Sequence, residues 1–307
     1  MSPAMTNPDT CGFDSRGQLV VDYGPRQFQV LPSSDGKLTI RELVDGVATG
    51  PRRTTLPAPR KADDPDLVAA AKALVADSRR RVQAVLTSER DVYRKALGAQ
   101  LRWRPGEVER QVLGHPVLRP LLAGVVWTLH GSHDEVVAAF RFDEDGQPVD
   151  QADEPVQVGD QPVGMAHPVD LDPGLVREWQ QVLSDYELAV PFRQLDYPIG
   201  VLPPDQGDEF DLRGLSGMGC HELKFTGVLD AWGWQFVGKR ALLPWHWSNQ
   251  TALLEFQGGY ESTRVTRVVL LDGLRKRVPR KPWPLLPWSA APAHLVHDVV
   301  TSTRIVG

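Results

Sequence analysis

Short apolar runs separated by turn dipeptides open the chain. Leu19-Val20-Val21 and Phe28-Gln29-Val30-Leu31 are punctuated by Gly24-Pro25 and Asp35-Gly36. Runs of this length between turn-forming residues are typical of hairpin strands. The pattern therefore predicts a small meander of strands between Gly17 and Ile40.

The next apolar positions follow a helical period. Asp64 can cap a helix, and Pro65 suits the first helical position because its missing N–H has no partner there in any case. Apolar residues then recur at spacings of three and four: Leu67, Val68, Ala71, Leu74, Val75, Val82, Val85 and Leu86. We predict a long helix that begins at Pro65 and continues toward Leu101.

Helical and strand patterns alternate irregularly in the rest of the chain. Helical spacing brackets Gly114-His115-Pro116 and recurs over Pro173–Leu188 and Ala293–Thr301, while short apolar runs indicate strands at Val125–Leu129, Glu135–Phe142, Thr251–Phe256 and Arg264–Leu271. The regular strand–helix alternation of a doubly wound sheet is missing. The prediction is an α+β fold of mixed helices and short, mainly antiparallel strands, with the N-terminal strand meander followed by helices.

An acidic, turn-rich stretch at residues 143–162 suggests a boundary in the chain. We predict a disordered N-terminus over 1–16, an N-terminal half over 17–150 that holds the meander and helices, and a C-terminal half over 151–307. The two halves can be separate domains or one integrated domain.

Composition narrows the class of protein. Apolar residues make up 41% of the 307 positions and charged residues 24%, values of a globular chain. The net charge of -5 gives no overall field that would attract nucleic acid, and basic residues concentrate only at Arg79–Arg81 and Arg275–Lys281. Two cysteines and no signal-peptide pattern favour a cytoplasmic location. The longest apolar run, Leu121–Leu129, is too short to span a membrane.

One segment carries a specific motif. It reads Trp179, then Asp185-Tyr186-Glu187-Leu188, then Pro191-Phe192-Arg193-Gln194-Leu195. This order resembles the central motif of the MolR-like domain of unknown function, the DUF4132 family. Further similarities lie at Asp22–Arg26, Arg90, Trp103, His115-Pro116, Trp127, Ala166-His167-Pro168, Gly233-Trp234 and Asp298-Val299. The resemblance implies a bacterial protein of that type.

The sequence also departs from this family's pattern. Asp196 stands where an arginine usually follows the Gln-Leu pair, and Trp232 stands where an arginine usually precedes Gly233-Trp234. We therefore expect a divergent, stand-alone member. The family supplies no established chemistry, so its likeness implies an architecture and a cellular class only.

The motif segment mixes aromatic and polar side chains, as ligand clefts do. The predicted ligand-binding residues are Trp179, Tyr186, Phe192, Arg193 and Gln194, and the leading hypothesis is a binding or regulatory module for a protein, peptide or small ligand. The alternative is an enzyme acting on a peptide or nucleotide, with Asp185, Glu187 or His167 as acid or base. The alternative reading of Trp179 and Phe192 is that they fill the core.

A metal site is the weaker hypothesis at the end of the chain. His294 and His297 lie three residues apart on a predicted helix and would share one face, with Asp298 or His246 as a further ligand. Because spacing fixes no third ligand, the prediction is no metal and no cofactor. Oligomeric state is left open.

Overall fold

The computed structural model describes residues 9–196, 200–202, 206–245, 248–274 and 284–307. They form two compact units, each discontinuous in sequence. Unit 1 comprises Met1–Val92, Arg102–Met165 and Glu178–Pro191, and unit 2 comprises Tyr93–Leu101, Ala166–Arg177 and Phe192–Gly307. Residue 150, the predicted boundary, lies inside unit 1.

A four-stranded antiparallel meander begins unit 1. Its strands are β1 (Leu19–Asp22), β2 (Gln27–Pro32), β3 (Leu38–Val44) and β4 (Val47–Arg53), hydrogen-bonded in chain order. Side chains alternate between the two faces, as in any strand. Phe28 and Val30 on β2 and Leu38 and Ile40 on β3 are buried, whereas the residues between them are half-buried.

Helix α1 (Pro65–Gly98) follows the meander, as the sequence predicts. Asp64 caps it: its Oδ1 accepts the N–H of Asp66 at 2.8 Å and of Leu67 at 3.2 Å. The buried stripe repeats every seven residues: Val68, Ala71, Val75, Ser78, Val82, Val85 and Glu89. Glu89 is a carboxyl on an otherwise mostly apolar stripe, and burial raises its pKa.

The remainder of unit 1 combines short helices with a second sheet. The helices are α2 (Pro105–Val108), a π turn at Glu109–Leu113 and α3 (Leu118–Leu121). The sheet has the order β7-β6-β5-β8, from β5 (Trp127–His130), β6 (Val136–Phe142), β7 (Pro148–Val149) and β8 (Val163–Met165). All its pairings are antiparallel.

Two elements join this part of the chain to unit 2. A 3-10 turn spans Pro168–Asp170, and helix α4 (Pro173–Asp185) follows it. The turn belongs to unit 2, and α4 contributes residues to both units.

Unit 2 is built on a six-stranded antiparallel sheet. The path runs β10 (Gln235–Phe236), β11 (Arg240–Trp245), β12 (Gln250–Gly259), β13 (Ser262–Asp272) and β14 (Leu285–Leu286), and β9 (Gly219–Cys220) pairs with β13. Helices α5 (Glu222–Ala231) and α6 (Ala293–Ile305) contribute to its core. Phe225, Trp234, Trp288 and Val299 are buried there.

The predicted α+β class is confirmed, including its leading strand meander and its antiparallel pairings. Among the described residues, no helix is both long and apolar enough to cross a membrane. Of the segment predicted to be disordered, residues 9–16 are described, and Cys11 and Phe13 within it are buried. Burial raises the pKa of the Cys11 thiol to about 11, so this cysteine is an inert core residue.

Candidate functional site

The Asp-Tyr-Glu-Leu block of the motif forms the C-terminal cap of α4. The N–H of Leu188 donates to the carbonyl of Leu183 at 2.9 Å, and the N–H of Glu187 donates to that of Ser184 at 3.1 Å. This pair of bonds defines a Schellman motif, whose αL position usually holds glycine. Glu187 occupies that position with φ 52°. Glu187 therefore keeps its side chain in a backbone conformation that favours glycine.

Tyr186 is held in place by two residues of unit 1, Asp153 and Arg141. Its hydroxyl donates to Asp153 Oδ2 at 2.5 Å, and Arg141 Nη2 donates to Asp153 Oδ1 at 2.5 Å. The Arg141 guanidinium lies 4.6 Å from the tyrosine ring centroid. The hydrogen bond to the Asp153 carboxylate raises the pKa of the Tyr186 phenol. Tyr186 is thus oriented while about half of it stays exposed.

The other predicted residues of the motif fall into two groups. In unit 1, Trp179 is completely buried, and Asp185 accepts a 2.6 Å hydrogen bond from Gln181. In unit 2, Phe192 and Gln194 are buried, and Arg193 pairs with Asp196 at 2.9 Å. Phe192 stacks on Tyr93 with ring centroids 6.5 Å apart. Trp179 and Phe192 are core residues, which was the alternative reading of both.

A cavity of about 790 Å³ lies within unit 1. Tyr186, Glu187 and Leu188 line it, and these are the motif residues that reach it. Its volume falls within the roughly 300–1,000 Å³ of small-molecule sites. Apolar side chains contribute to the wall as well, including Leu113, Leu122 and Phe142.

The half-buried face of the meander forms another part of this wall. Gln29 and Leu31 on β2 pair across the sheet with Arg41 and Thr39 on β3, and all four line the cavity. Because side chains alternate along a strand, the same strands place Phe28 and the other buried residues in the core. The meander therefore has one core face and one cavity face.

Arginines contribute positive charge to the cavity wall. Arg16, Arg41 and Arg52 line it, and within the described ranges none of the three guanidinium groups forms an ion pair. The Nε of Arg41 is buried, and no described residue hydrogen-bonds to it. By contrast, Lys37 in the same wall pairs with Asp35 at 2.6 Å.

Histidine side chains cap several turns of the chain. His115 Nδ1 accepts the N–H of Val117 and of Leu118 at 3.2 Å, ahead of α3. His167 Nδ1 accepts that of Val169 at 3.3 Å, and His221 Nδ1 accepts that of Leu223 at 3.3 Å, ahead of α5. The His-Pro pairs noted in the sequence are therefore turn caps, with the proline in the first turn position.

A histidine cluster lies in unit 2, where the 3-10 turn meets the start of α6. His167 Nε2 is 3.4 Å from Asp298 Oδ1, although the two residues are 131 positions apart. His294 Nε2 is 2.7 Å from Asp170 Oδ1. The ring centroid of His167 lies 4.6 Å from that of His294 and 5.1 Å from that of His297.

His297 is held from the other side by the backbone. Its Nδ1 accepts the N–H of Gly200 at 2.9 Å. A Cβ at position 200 would lie 2.5 Å from Thr301 Oγ1, so only glycine lets this backbone approach α6 so closely. Burial, and then the nearby His167, lower the pKa of His297 to about 4. The imidazole is therefore neutral in the folded protein at pH 7.

Distance alone would allow a metal ion here. One ligand atom each from His167, His297 and Asp298 lies within 4.8 Å of the others, a group that the sequence pattern only partly anticipated. Hydrogen bonding argues against ligation, however. Because Nδ1 accepts a backbone N–H in both histidines, each ring carries a proton on Nε2 and offers no lone pair there. With its proton on Nε2, His167 is oriented to donate to Asp298.

Two predictions from the sequence involve residues outside the described ranges. His246, the proposed extra metal ligand, and the basic cluster Arg275–Lys281 are not among them. The other basic cluster is engaged within unit 1: Arg79 donates to the carbonyl of Thr54 at 2.7 Å, and Arg80 pairs with Asp77 at 3.1 Å. Arg81 bonds to Asp9. These arginines are not a free basic patch.

No pattern in the sequence predicts the arginines of the cavity wall. Arg16, Arg41 and Arg52 are far apart among ordinary surface positions, and no spacing links them. Strand alternation could have placed Gln29 and Leu31 on one face of a hairpin and Thr39 and Arg41 beside them. It could not have shown that a cavity covers that face.

The fold is that of an α+β protein with a large cavity beside an N-terminal meander. By sequence, the chain belongs to the family described as Domain of unknown function (DUF4132), whose profile matches residues 50–234. The similarities at Asp22–Arg26 and Asp298-Val299 lie outside that match.

A curated relative has been described only as an uncharacterized protein. The chain is 25% identical over 278 residues to "Uncharacterized protein YehI" of Escherichia coli (strain K12), which covers 88% of this chain and 22% of the relative. The chain thus spans about a fifth of that protein's length. No solved structure gives a significant match.

Proposed function

We propose that this chain is a binding module whose ligand is a small molecule or the end of a peptide or protein chain, held in the cavity of unit 1. One observation carries the proposal. The cap of α4 directs Tyr186 and the strained Glu187 into the wall of a cavity of ligand size. Strained backbone positions cluster at functional sites, and Glu187 is the one of the seven described non-glycine residues with positive φ that lines the cavity. We also propose that the chain is a MolR-like protein and that it is located in the cytoplasm.

The rival hypothesis, an enzyme acting on a peptide or nucleotide, has less support. Catalysis by these groups would need an acid and a base within reach of one shared atom. Asp185 bonds to Gln181 and does not line the cavity, whereas Glu187 does. His167 has both ring nitrogens engaged, by Val169 and by Asp298.

Blocking the cavity tests the proposal. Leu31→Trp places a larger side chain in the wall, and Leu74→Trp makes the same exchange at a half-exposed site of α1 that does not line the cavity. The purified chain would be screened by thermal shift against dipeptides, free amino acids and nucleoside monophosphates. A compound that stabilises the wild type and Leu74→Trp but not Leu31→Trp supports the cavity. The proposal is contradicted if a compound stabilises Leu31→Trp and Leu74→Trp equally. It is also contradicted if no compound stabilises the wild type or Leu74→Trp.

A further inference from the structure

We infer that the cavity of unit 1 binds the oxyanion group of its ligand, a phosphate or a carboxylate, through Arg41 with Arg16 and Arg52 beside it. This inference rests on the proposed function, since it names the chemistry of the same cavity. The three arginines lie outside the sequence motif at residues 179–195.

Arg41 has a buried guanidinium N–H, at Nε, to which no described residue hydrogen-bonds. A buried donor left without a partner destabilises the folded state, so native proteins rarely keep one without a reason. Arg41 Nε is one of several such atoms among the described residues, and it is the one that belongs to the cavity wall. A methionine on the same strand face would avoid the cost. An acceptor that arrives with the ligand explains why an arginine is kept.

The geometry of the strand holds Arg41 in place. It sits in register opposite Gln29, next to the core residue Ile40, whose side chain points to the other face of β3. A guanidinium on a rigid strand presents a planar fork of donors that matches a carboxylate or phosphate with two parallel bonds. Lys37, the lysine of the wall, is already neutralised by Asp35.

Arg16 and Arg52 supply further positive charge at the exposed part of the wall. Both are exposed, and neither forms an ion pair within the described part of the chain. Glu144 and Glu187 line the same cavity. An oxyanion ligand that also bears an amino group would therefore satisfy both signs of charge.

The test measures anion binding by the 307-residue chain. Calorimetric titrations would use inorganic phosphate and pyrophosphate as phosphoryl probes and succinate as a carboxylate probe, with potassium chloride at matched ionic strength as the blank. The variants are Arg41→Met and the matched control Arg53→Met, an exposed arginine of β4 outside the cavity wall. Arg52→Met, at an exposed site, is the second variant in case Arg41→Met does not fold.

We expect one class of probe to bind and Arg41→Met to weaken its binding at least about tenfold, because the variant loses a charge-assisted hydrogen bond to the oxyanion. Arg53→Met should bind as the wild type does, and Arg52→Met should bind more weakly. Binding of pyrophosphate or phosphate identifies a phosphoryl ligand, and binding of succinate alone identifies a carboxylate.

The inference is overturned if no probe binds, or if Arg41→Met and Arg52→Met both bind as tightly as Arg53→Met. These results separate it from the proposed function. A screening compound that Leu31→Trp blocks, but that Arg41→Met leaves unaffected, would keep the cavity as the site and remove the oxyanion from it. If Leu31→Trp blocks nothing, both ideas fail together.

Discussion

Replacing His297 by asparagine should change how the stability of the protein depends on pH. The side chain is buried at the start of α6, and its neighbours are His167, His294 and Asp298. Asparagine Oδ1 can take the position of Nδ1 and accept the N–H of Gly200, so the variant keeps this hydrogen bond while losing the titratable ring.

The magnitude follows from the pKa of His297, which is about 4 in the folded chain against 6.5 for an unperturbed histidine. Between these values the unfolded chain binds a proton that the folded chain excludes. The free energy of unfolding therefore falls as the pH falls through this window. The full loss is about 3 kcal/mol below pH 4, and about 2 kcal/mol is lost by pH 5.

Urea unfolding at pH 7.5, 6.5, 5.5 and 5, followed by tryptophan fluorescence, measures the effect. The asparagine variant loses ring packing at every pH, so the informative quantity is its stability difference from the wild type as a function of pH. That difference should move by about 2 kcal/mol in favour of the variant between pH 7.5 and 5. His133→Asn, which removes an exposed imidazole before β6, should keep the wild-type profile.

Parallel pH profiles for the wild type and His297→Asn would refute the reasoning. They would mean that the imidazole is protonated in the folded chain or is reached by water. An equal change in His133→Asn would assign the effect to loss of any histidine rather than to the buried cluster.

Further predictions test other parts of the structure. Glu187→Gly should raise the free energy of unfolding by about 1 kcal/mol because glycine suits the αL cap, whereas Glu187→Gln should not. Urea unfolding measures both variants, and a loss of stability in Glu187→Gly would show that the backbone at position 187 is not strained. Asp64→Ala should cost about 1 kcal/mol through loss of the α1 cap, and Asp64→Asn much less. Glu89→Gln should stabilise the chain at pH 7, with the gain shrinking in acid, because burial raises the pKa of this carboxyl and the folded state favours its protonated form; an unchanged midpoint at both pH values would oppose this. Equimolar zinc chloride should raise the melting temperature of the wild type no more than that of His297→Asn, since the tautomers of the cluster present N–H groups; a stoichiometric zinc content in purified protein would show this to be wrong.

Local signals in the sequence were enough for the elements whose causes are local. Asp64 and Pro65 mark the start of α1 because a cap and a first-turn proline act on adjacent backbone groups. The alternation of Phe28 and Val30 with polar neighbours similarly indicates β2. The helical spacing around Trp179 predicts α4, and its Asp-Tyr-Glu-Leu block ends that helix.

Local signals failed where the cause is a long-range contact. The sequence pattern predicts that Trp179 and Gln194 line one ligand cleft. Instead, Trp179 is buried by the packing of unit 1 and Phe192 by the packing of unit 2. Leu67 and Leu74 fit the helical spacing of α1, yet both are about 40% exposed, because the buried stripe follows its neighbours at Val68 and Val75. Spacing defines a face of a helix but not its angle to the core.

The chain's own pattern determined the class of fold, the meander, the long helix and the position of its cap, because each depends on residues within a few positions of one another. Tertiary structure alone brought His167 to Asp298 and set Arg41 in a cavity wall beside the cap of α4. Side chains that meet across more than a hundred positions leave no periodic signal in the sequence. Their chemistry can be identified only once the backbone has placed them together.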